Sequence, residues 1–196
     1  EAQTIGAVQG DLCDQGLEVR SGNNTAGGGG GGIGYDGLAN SVGVEFDNWD
    51  NGPCDGNNGN HAGINLAGSV CSVARADTLP AQLDSGSIFH AWVDYNGVTD
   101  SLEVRLALND TRPAAALMSY TVDLVSVLGT TNAFVGFTSG TGAATADHDI
   151  RRWVFNSEFA PVVDPTNPGG GSVPEPGTLA LMLSGLGWLG VRRLRG

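Results

Sequence analysis

The chain has 196 residues, nine arginines, no lysine and 21 acidic residues, which give a formal net charge of −12. This acidity disfavours nucleic acid as a partner, because binding to nucleic acid depends on cationic contacts with phosphates. Thirty-two glycines, eight prolines and short β-branched runs between turn residues predict an all-β protein, with one domain and a tail.

The first predicted element that carries chemistry is a strand at residues 42 to 47. Val42, Val44 and Phe46 alternate along it and form the predicted buried face. Because side chains alternate across a strand, Glu45 and Asp47 then lie together on the other face.

An Asp- and Gly-rich turn follows this strand and is predicted to bring Asn51 and Asp55 back over the same face. His61 opens the returning strand, so that all these side chains fall within 17 residues of one another in sequence. Carboxylate and amide oxygens suit Ca²⁺, while an imidazole added to carboxylates suits a transition ion such as Mn²⁺. We therefore interpret the segment as one cluster for two cations.

Two cysteines flank the returning strand. Cys54 lies in the acidic turn and Cys71 ends the returning segment, so a disulfide between them would brace the turn in an oxidising compartment. The alternative, in which all three cysteines are free thiols, stays equally open. Cys13 is left over in the first case.

Further along the chain, His90 alternates with aromatic residues in the run from Phe89 to Tyr95. This pattern predicts a strand with His90 on its surface.

The end of the chain has a different composition. Residues 161 to 173 are rich in proline and glycine and are predicted to be a linker between a domain at 1 to 160 and a tail at 174 to 196. The tail begins with Pro174, Glu175 and Pro176, continues with an apolar stretch at 178 to 191 and ends with a basic run that includes Arg192 and Arg193.

This arrangement resembles the PEP-CTERM sorting signal of Gram-negative bacteria. The resemblance implies a short apolar helix held for a time in the inner membrane, cleavage by an exosortase, and release to the cell surface or the extracellular matrix. The alternative, a buried core helix at 178 to 191, fits poorly with the proline-rich lead-in. The chain starts at Glu1 without a signal peptide, so we expect a fragment that lacks amino-terminal strands.

The metal segment resembles the L-type (legume-type) lectins. The similarity rests on Glu-Phe-Asp at 45 to 47, the aromatic, Asn, Asp and His-Ala-Gly-Ile positions after it, and the segments 33 to 35, 119 to 124, 133 to 142 and 148 to 155. It implies a concanavalin A-like antiparallel β-sandwich, or jelly roll.

The resemblance also implies a ligand set. Asp47 and Asp55 would bridge both ions, and Glu45 and His61 would complete the transition-metal side. The calcium side would be completed by Asn51 and by the backbone carbonyl of Trp49. Contacts to sugar would come from the following residues: Asn51, Trp49, Gly31 and Gly32.

One feature of these lectins is an Asp-Gly pair on an early strand, whose Asp accepts hydrogen bonds from sugar hydroxyls. If the segment 7 to 9 ends that strand, the acceptor falls near residue 2 or before the chain begins, where it is missing. Asp11 and Asp14 follow in the next loop without a spacing that makes either one a substitute.

Four other side chains have two interpretations. Trp49 and Tyr35 either stack on a sugar ring or belong to the core. His148 and Asp149 suggest an acid–base pair, but the resemblance favours a structural place at the start of the final strand.

Three functions are consistent with this sequence. The resemblance favours an exported, non-catalytic domain that binds a glycan or exopolysaccharide with Ca²⁺ and Mn²⁺. A matrix or adhesive module without sugar binding is the second. The third is a laminarinase-type hydrolase built on Glu45, Asp47 and Asp50, although its last carboxylate is one methylene short and the additional metal-ligand residues are not needed for hydrolysis.

Overall fold

A computed structural model describes residues 3–10, 15–20, 25–142 and 147–159. The segments 161 to 173 and 174 to 196 lie outside these ranges, as does the apolar stretch at 178 to 191. Within the described ranges, no helix has the length and apolarity needed to cross a membrane.

Ten strands and one short helix make up the described fold. In chain order they are β1 Gln3–Gly10, β2 Gln15–Arg20, β3 Ser41–Asp47, β4 His61–Leu66, β5 Ala74–Ala76, β6 Phe89–Asn96, β7 Ser101–Ala107, β8 Met118–Thr121, α1 Leu124–Leu128, β9 Phe134–Ser139 and β10 Ile150–Asn156.

The strands form two five-stranded antiparallel sheets. One sheet has the order β10-β1-β6-β7-β8 and the other has the order β5-β4-β3-β2-β9. We call them the β6 sheet and the β3 sheet after their middle strands. Their packing confirms the predicted antiparallel sandwich.

The core lies between the two sheets and is built by alternation along the strands. Val42, Val44 and Phe46 of β3 point into it, as the period-two pattern predicts. The β6 sheet contributes large apolar side chains from its two central strands: Phe89, Ala91, Val93, Tyr95, Leu102, Val104 and Leu106. The opposite faces carry buried polar side chains, Glu45 and Asp47 on β3 and His90 and Asp94 on β6, and the β6 sheet also buries Trp92 there.

The helix α1 is short because its ends are set locally. The side chain of Asp123 accepts a hydrogen bond from the Ser126 backbone N–H at the amino end, and Gly129 adopts φ 70° after the last turn. Leu124 and Leu128 anchor the helix in the core.

The surface position predicted for His90 is wrong. His90 is 7% exposed, and its imidazole stacks on the buried Trp92 with ring centroids 6.3 Å apart. Burial lowers the pKa of His90.

The position of the strand that should carry the sugar acceptor stays a prediction. The segment 7 to 9 belongs to β1, which pairs with β6 and β10 in the β6 sheet. The strand that pairs with β3 is β2, with Gln15 opposite Phe46. Asp11 and Asp14 lie outside the described residues.

Candidate functional site

The outer face of β3 is buried although it carries two acids. Glu45 is 1% exposed and Asp47 is 3% exposed. Their face is covered by the segment that follows the glycine run, because the ring of Tyr35 lies against Gly43 on β3. Charges buried in this way need hydrogen bonds or a counter-ion.

Glu45 is held by hydroxyl groups from two other segments. The Tyr35 hydroxyl donates to Glu45 Oε2 at 2.5 Å, and the Ser72 hydroxyl donates to Glu45 Oε1 at 2.7 Å. Asn65 Nδ2 donates in turn to the Tyr35 oxygen. Gly63 lies opposite Glu45 on β4, where a Cβ would come within 2.4 Å of Glu45 Oε1. Only glycine leaves room for this carboxylate.

These contacts shift the pKa values of both Glu45 and Tyr35. Burial by itself would raise the pKa of Glu45, but the nearby His61 imidazole and the hydrogen bonds from the Tyr35 and Ser72 hydroxyl groups outweigh it, so this pKa lies below its ordinary value. Burial, followed by the charge of Glu45, raises the pKa of Tyr35. Glu45 is therefore an anion, and Tyr35 keeps the proton that it donates.

Asp47, Asp55 and His61 form the centre of the site. One ligand atom from each lies within 4.8 Å of the other two, and all three side chains are buried. Asp47 ends β3 directly opposite His61 at the start of β4, while Asp55 comes from a 3₁₀ turn at Pro53–Asp55. The sheet register thus brings together residues that sequence analysis had selected.

The imidazole of His61 is oriented toward this centre. Its Nδ1 is 2.8 Å from the carbonyl oxygen of Asn58, which assigns the Nδ1 proton to that hydrogen bond. Nε2 is buried, 3.5 Å from Glu45 Oε1, and has no hydrogen-bond partner in the described part of the chain. Burial would lower the pKa of His61, but the nearby Glu45 carboxylate raises it above its ordinary value.

This donor set fits a bound cation. A histidine that donates one ring N–H to a carbonyl while the other nitrogen faces carboxylates has the arrangement of a metal ligand. Two aspartates and a glutamate beside it supply anionic oxygens. The buried Nε2, which makes no hydrogen bond within the described residues, faces these oxygens and is placed to bind a cation with them.

The carboxylates also organise the turn between β3 and β4. Asp47 Oδ1 accepts a hydrogen bond from the Trp49 backbone N–H at 2.7 Å, and Asp55 Oδ2 accepts one from the Asn51 backbone N–H at 2.5 Å. The two acids therefore fix the backbone on which Trp49 and Asn51 are carried.

Asn51 lies against the glycine-rich loop. A Cβ added at Gly31 would come within 2.5 Å of Asn51 Oδ1, so the absence of a side chain at Gly31 is what lets the amide approach. Gly31 and Asn51 are exposed, whereas Gly32 is buried and its N–H donates to the Gly29 carbonyl. Of the two glycines expected to contact sugar, only Gly31 is accessible.

The two aromatic candidates separate clearly. The side chain of Trp49 is 46% exposed, so it does not belong to the core and is free to contact a ligand. Tyr35 is 1% exposed and is committed to Glu45, so it cannot stack on a sugar ring.

Cys54 and Cys71 form a disulfide, with their Cα atoms 4.5 Å apart. The bond ties the 3₁₀ turn that carries Asp55 to the segment after β4. Cys13 lies outside the described residues.

Two other candidates, His148 and Asp149, are not among the residues of this cluster. His148 and Asp149 directly precede β10, the strand at which a structural role was favoured. The sorting-signal residues all lie outside the described ranges: Pro174, Glu175, Pro176, Arg192 and Arg193.

Sequence analysis missed the residues that support the ligands. Tyr35, Ser72 and Gly63 carry no motif for such a role, and they meet Glu45 only because the glycine loop, β4 and the β4–β5 connection pack over β3. The sole local signal is the position of Tyr35 directly after the glycine run.

Comparisons with known proteins agree with this geometry. The model of the legume lectin domain matches residues 35–169, and the PEP-CTERM protein-sorting motif matches residues 172–195. The chain is 31% identical over 192 residues to the L-type lectin-domain containing receptor kinase VIII.1 of Arabidopsis thaliana, which covers 92% of this chain and 24% of the kinase. It is 32% identical over 130 residues to a lectin of Pisum sativum, with 64% of this chain and 46% of that lectin covered.

A solved structure of peanut lectin with a nine-residue peptide superposes with a TM-score of 0.65 at 25% identity, covering 80% of this chain and 71% of that one. The chain thus spans about a quarter of the receptor kinase and less than half of the Pisum sativum lectin. The family match extends over most of the chain, and its range contains Asp47, Asp55 and His61. This protein belongs to the legume lectin family and carries a PEP-CTERM sorting motif at its carboxyl end.

Proposed function

We propose that this domain holds Ca²⁺ and a transition ion such as Mn²⁺ and binds a glycan without changing it. The observation that carries the proposal is the buried group of Asp47, Asp55 and His61, whose ligand atoms lie within 4.8 Å of one another. The proposal is supported by Nε2 of His61, which is buried 3.5 Å from Glu45 Oε1 and makes no hydrogen bond within the described residues.

The ligands divide by chemical type. Glu45 and His61, with the shared Asp47 and Asp55, offer the mixed oxygen and nitrogen set that suits a transition ion. The all-oxygen side would consist of the two shared aspartates with the Asn51 amide and the Trp49 carbonyl. When bound, the cations neutralise the acidic cluster and stabilise the turn that carries Asn51.

The glycan would be bound at the exposed rim of this turn. Asn51 offers an amide for hydrogen bonds to sugar hydroxyls, and its neighbour Gly31 exposes backbone without a side chain. The exposed Trp49 offers an aromatic face for the apolar side of a sugar ring.

The burial of Glu45 argues against a hydrolase. A retaining hydrolase needs a nucleophilic carboxylate that reaches the sugar, with a second carboxyl group about 5 Å away. Glu45 is 1% exposed and both of its oxygens accept hydrogen bonds from hydroxyl groups. A residue held in this way is suited to support a cation.

The sorting motif supports export. We propose that the tail at 174 to 196 holds the chain in the inner membrane of a Gram-negative bacterium until an exosortase cleaves near Pro-Glu-Pro, after which the domain reaches the cell surface or matrix. Mass spectrometry of the protein from an exosortase-containing host is expected to show the mass of a fragment that ends near residue 175. In a host without exosortase, the full-length mass is expected. An unchanged mass in the exosortase-containing host would contradict the cleavage.

Glycan-array binding of the purified full-length chain tests the function directly. Binding that needs Ca²⁺ and Mn²⁺, disappears with EDTA and releases no reducing sugar is the expected result. Release from β-glucan that is lost in Glu45→Gln would instead indicate a hydrolase. Metal binding without any glycan binding would indicate the matrix module.

Two tryptophans provide a matched pair for the sugar contact. Trp49→Ala is expected to weaken glycan binding by about tenfold, the loss that follows from about 1.4 kcal/mol of aromatic contact. Trp153 on β10 is comparably exposed, at 42% against 46%, and Trp153→Ala is expected to leave binding unchanged. Equal losses in both variants would contradict the assigned rim.

A further inference from the structure

We propose that Arg75 and the Cys54–Cys71 disulfide are positioning groups that hold the turn with Asn51 and Asp55 in its ligating shape before any cation binds. The proposal rests on the metal-binding function given above. In this proposal, the affinity for the cation depends partly on groups that do not themselves bind it.

Arg75 lies on β5, an edge strand of the β3 sheet, and contacts the turn from there. Its Nε and Nη2 donate to the two carboxylate oxygens of Asp77 at 2.6 and 3.2 Å, which fixes the plane of the guanidinium. Its Nη1 donates to the carbonyl oxygen of Cys54 at 3.3 Å. Gly56 packs against the same group, because a Cβ there would come within 1.9 Å of Nη2.

The disulfide fastens the same residue through its side chain. Cys54 is thus held at two points, by the bond to Cys71 and by the hydrogen bond from Arg75 to its carbonyl oxygen. Asp55 is the next residue in the chain, and its carboxylate accepts the Asn51 backbone N–H. We call Arg75 and the Cys54–Cys71 disulfide together the clamp. The clamp therefore lies one peptide unit from Asp55, and Asp55 links it to Asn51.

A hydrogen bond between the turn and Asp77 adds to this clamp. Asn58 Nδ2 donates to the Asp77 carbonyl oxygen at 3.2 Å, while the Asn58 carbonyl oxygen accepts the His61 proton. Asp77 thus supports both Arg75 and the residue that orients His61.

The acidity of the site explains why a clamp would favour metal binding. Without a cation, Glu45, Asp47 and Asp55 repel one another in buried surroundings, and this repulsion favours an open turn. A tether that holds the turn closed removes part of the ordering cost from metal binding, which raises affinity.

Position and charge predict opposite effects at Arg75. The positive charge of the guanidinium is felt by Asp55 and Glu45 and competes with a cation, so charge alone weakens metal binding. The hydrogen bonds of the Arg75 guanidinium to Asp77 and Cys54, by contrast, strengthen metal binding because they hold the turn in place. Lysine keeps the charge but loses this set of hydrogen bonds, whereas glutamine loses both.

Calorimetric titration of Mn²⁺ into the full-length chain separates the two effects. In a Cys13→Ser background, Arg75→Lys, Arg75→Gln and the double variant Cys54→Ser/Cys71→Ser are each expected to bind Mn²⁺ roughly 10- to 100-fold more weakly. Arg151→Lys, an exposed position on β10, is the control and should bind like the parent. Tighter binding in Arg75→Gln with no change in Arg75→Lys would mean that only charge acts, and would overturn the proposal.

Reduction gives the same test without a substitution. A dithiol such as dithiothreitol transfers two electrons and two protons to the Cys54–Cys71 bond, which becomes two thiols, and is itself oxidised to a cyclic disulfide. Weaker Mn²⁺ binding that recovers on reoxidation is expected. Unchanged affinity in the fully reduced, folded protein would overturn the role of the disulfide.

Amide hydrogen exchange in EDTA tests positioning without metal. Residues 51 to 60 are expected to exchange faster in each variant and in the reduced parent, while the central strands β6 and β7 keep their protection as proof of an intact fold. If the parent binds no Mn²⁺, the proposed function fails, but this exchange still decides the role of the clamp. Identical exchange over 51 to 60 in parent and all variants would contradict it.

Discussion

Both sheets bury carboxylates on their outer faces, but the two sites balance the charge differently. On the β6 sheet, Asp94 is 1% exposed and its Oδ2 accepts hydrogen bonds from Arg105 at 3.1 Å and Arg112 at 2.5 Å. On the β3 sheet, Glu45 and its neighbours are equally buried, but the hydrogen bonds recorded to Glu45 in the described chain come from hydroxyl groups.

The contrast teaches how to distinguish a structural acid from one that awaits a ligand. Asp94 has its counter-ions supplied by the fold, so its charge is neutralised as soon as the sheet forms. The β3-sheet site brings Glu45, Asp47 and Asp55 around the single histidine His61, and this donor set suits an external cation. Burial alone does not separate the two sites; the identity of the partner does.

The largest effect is expected for Asp47→Ala. It removes the carboxylate proposed to be shared by both cations, which water cannot replace at two positions, so no heat of binding should remain for Ca²⁺ or Mn²⁺ in calorimetry. Asp84→Ala, at an exposed acid, is the control. A titration of Asp47→Ala that matches the parent would contradict the site.

Asp94→Asn is expected to give the opposite pattern. It removes the carboxylate charge that Arg105 and Arg112 share, and although Arg105 keeps its contact with Glu103, this loss should lower the free energy of unfolding by about 3 kcal/mol in urea titrations. Mn²⁺ affinity should stay unchanged, because Asp94 lies on the other sheet. Asp110→Asn, at an exposed acid, serves as the control, and a loss of metal affinity in Asp94→Asn would break the comparison.

Metal removal is expected to affect stability only where the β3-sheet acids are intact. A ligand that binds only the folded state at 100 times its dissociation constant adds about 2.7 kcal/mol to the free energy of unfolding. EDTA should remove this increment from the parent and from Asp94→Asn, as measured by urea unfolding. An equal effect of EDTA on Asp47→Ala would mean that the cation binds elsewhere.

Tyr35→Phe should have the smallest effect. It leaves Glu45 Oε2 without its hydroxyl donor in a buried position, which is expected to lower the free energy of unfolding of the metal-free protein by about 1–3 kcal/mol. Tyr120→Phe on β8 provides a control tyrosine away from the site. Equal stability of Tyr35→Phe and the parent would show that Ser72 alone supports Glu45.

The sequence predicted the parts of the site that depend on local order. Val42, Val44 and Phe46 alternate with Glu45 and Asp47, and this period of two is sufficient to place the acids away from the core. His61 could be assigned to the same site because a hairpin returns the chain to the strand it has left, here with Asp47 opposite His61.

The contacts that cross between segments could not be predicted in this way. Tyr35 lies 10 positions before Glu45 and Ser72 lies 27 positions after it, and nothing in either local pattern indicates a role at a carboxylate. The error at His90 has the same origin, since alternation gives the face of a strand but not whether that face is covered.

The sequence by itself determined the all-β class, the inward faces of the central strands and the set of candidate ligand side chains, because these follow from residue chemistry and the period of a strand. Only the tertiary structure decided that Trp49 is exposed, that Tyr35 is buried on Glu45 and that Arg75 reaches Cys54. The reason is that burial and hydrogen bonding depend on which distant segment packs over a face, and this is fixed by the whole sandwich rather than by neighbouring residues.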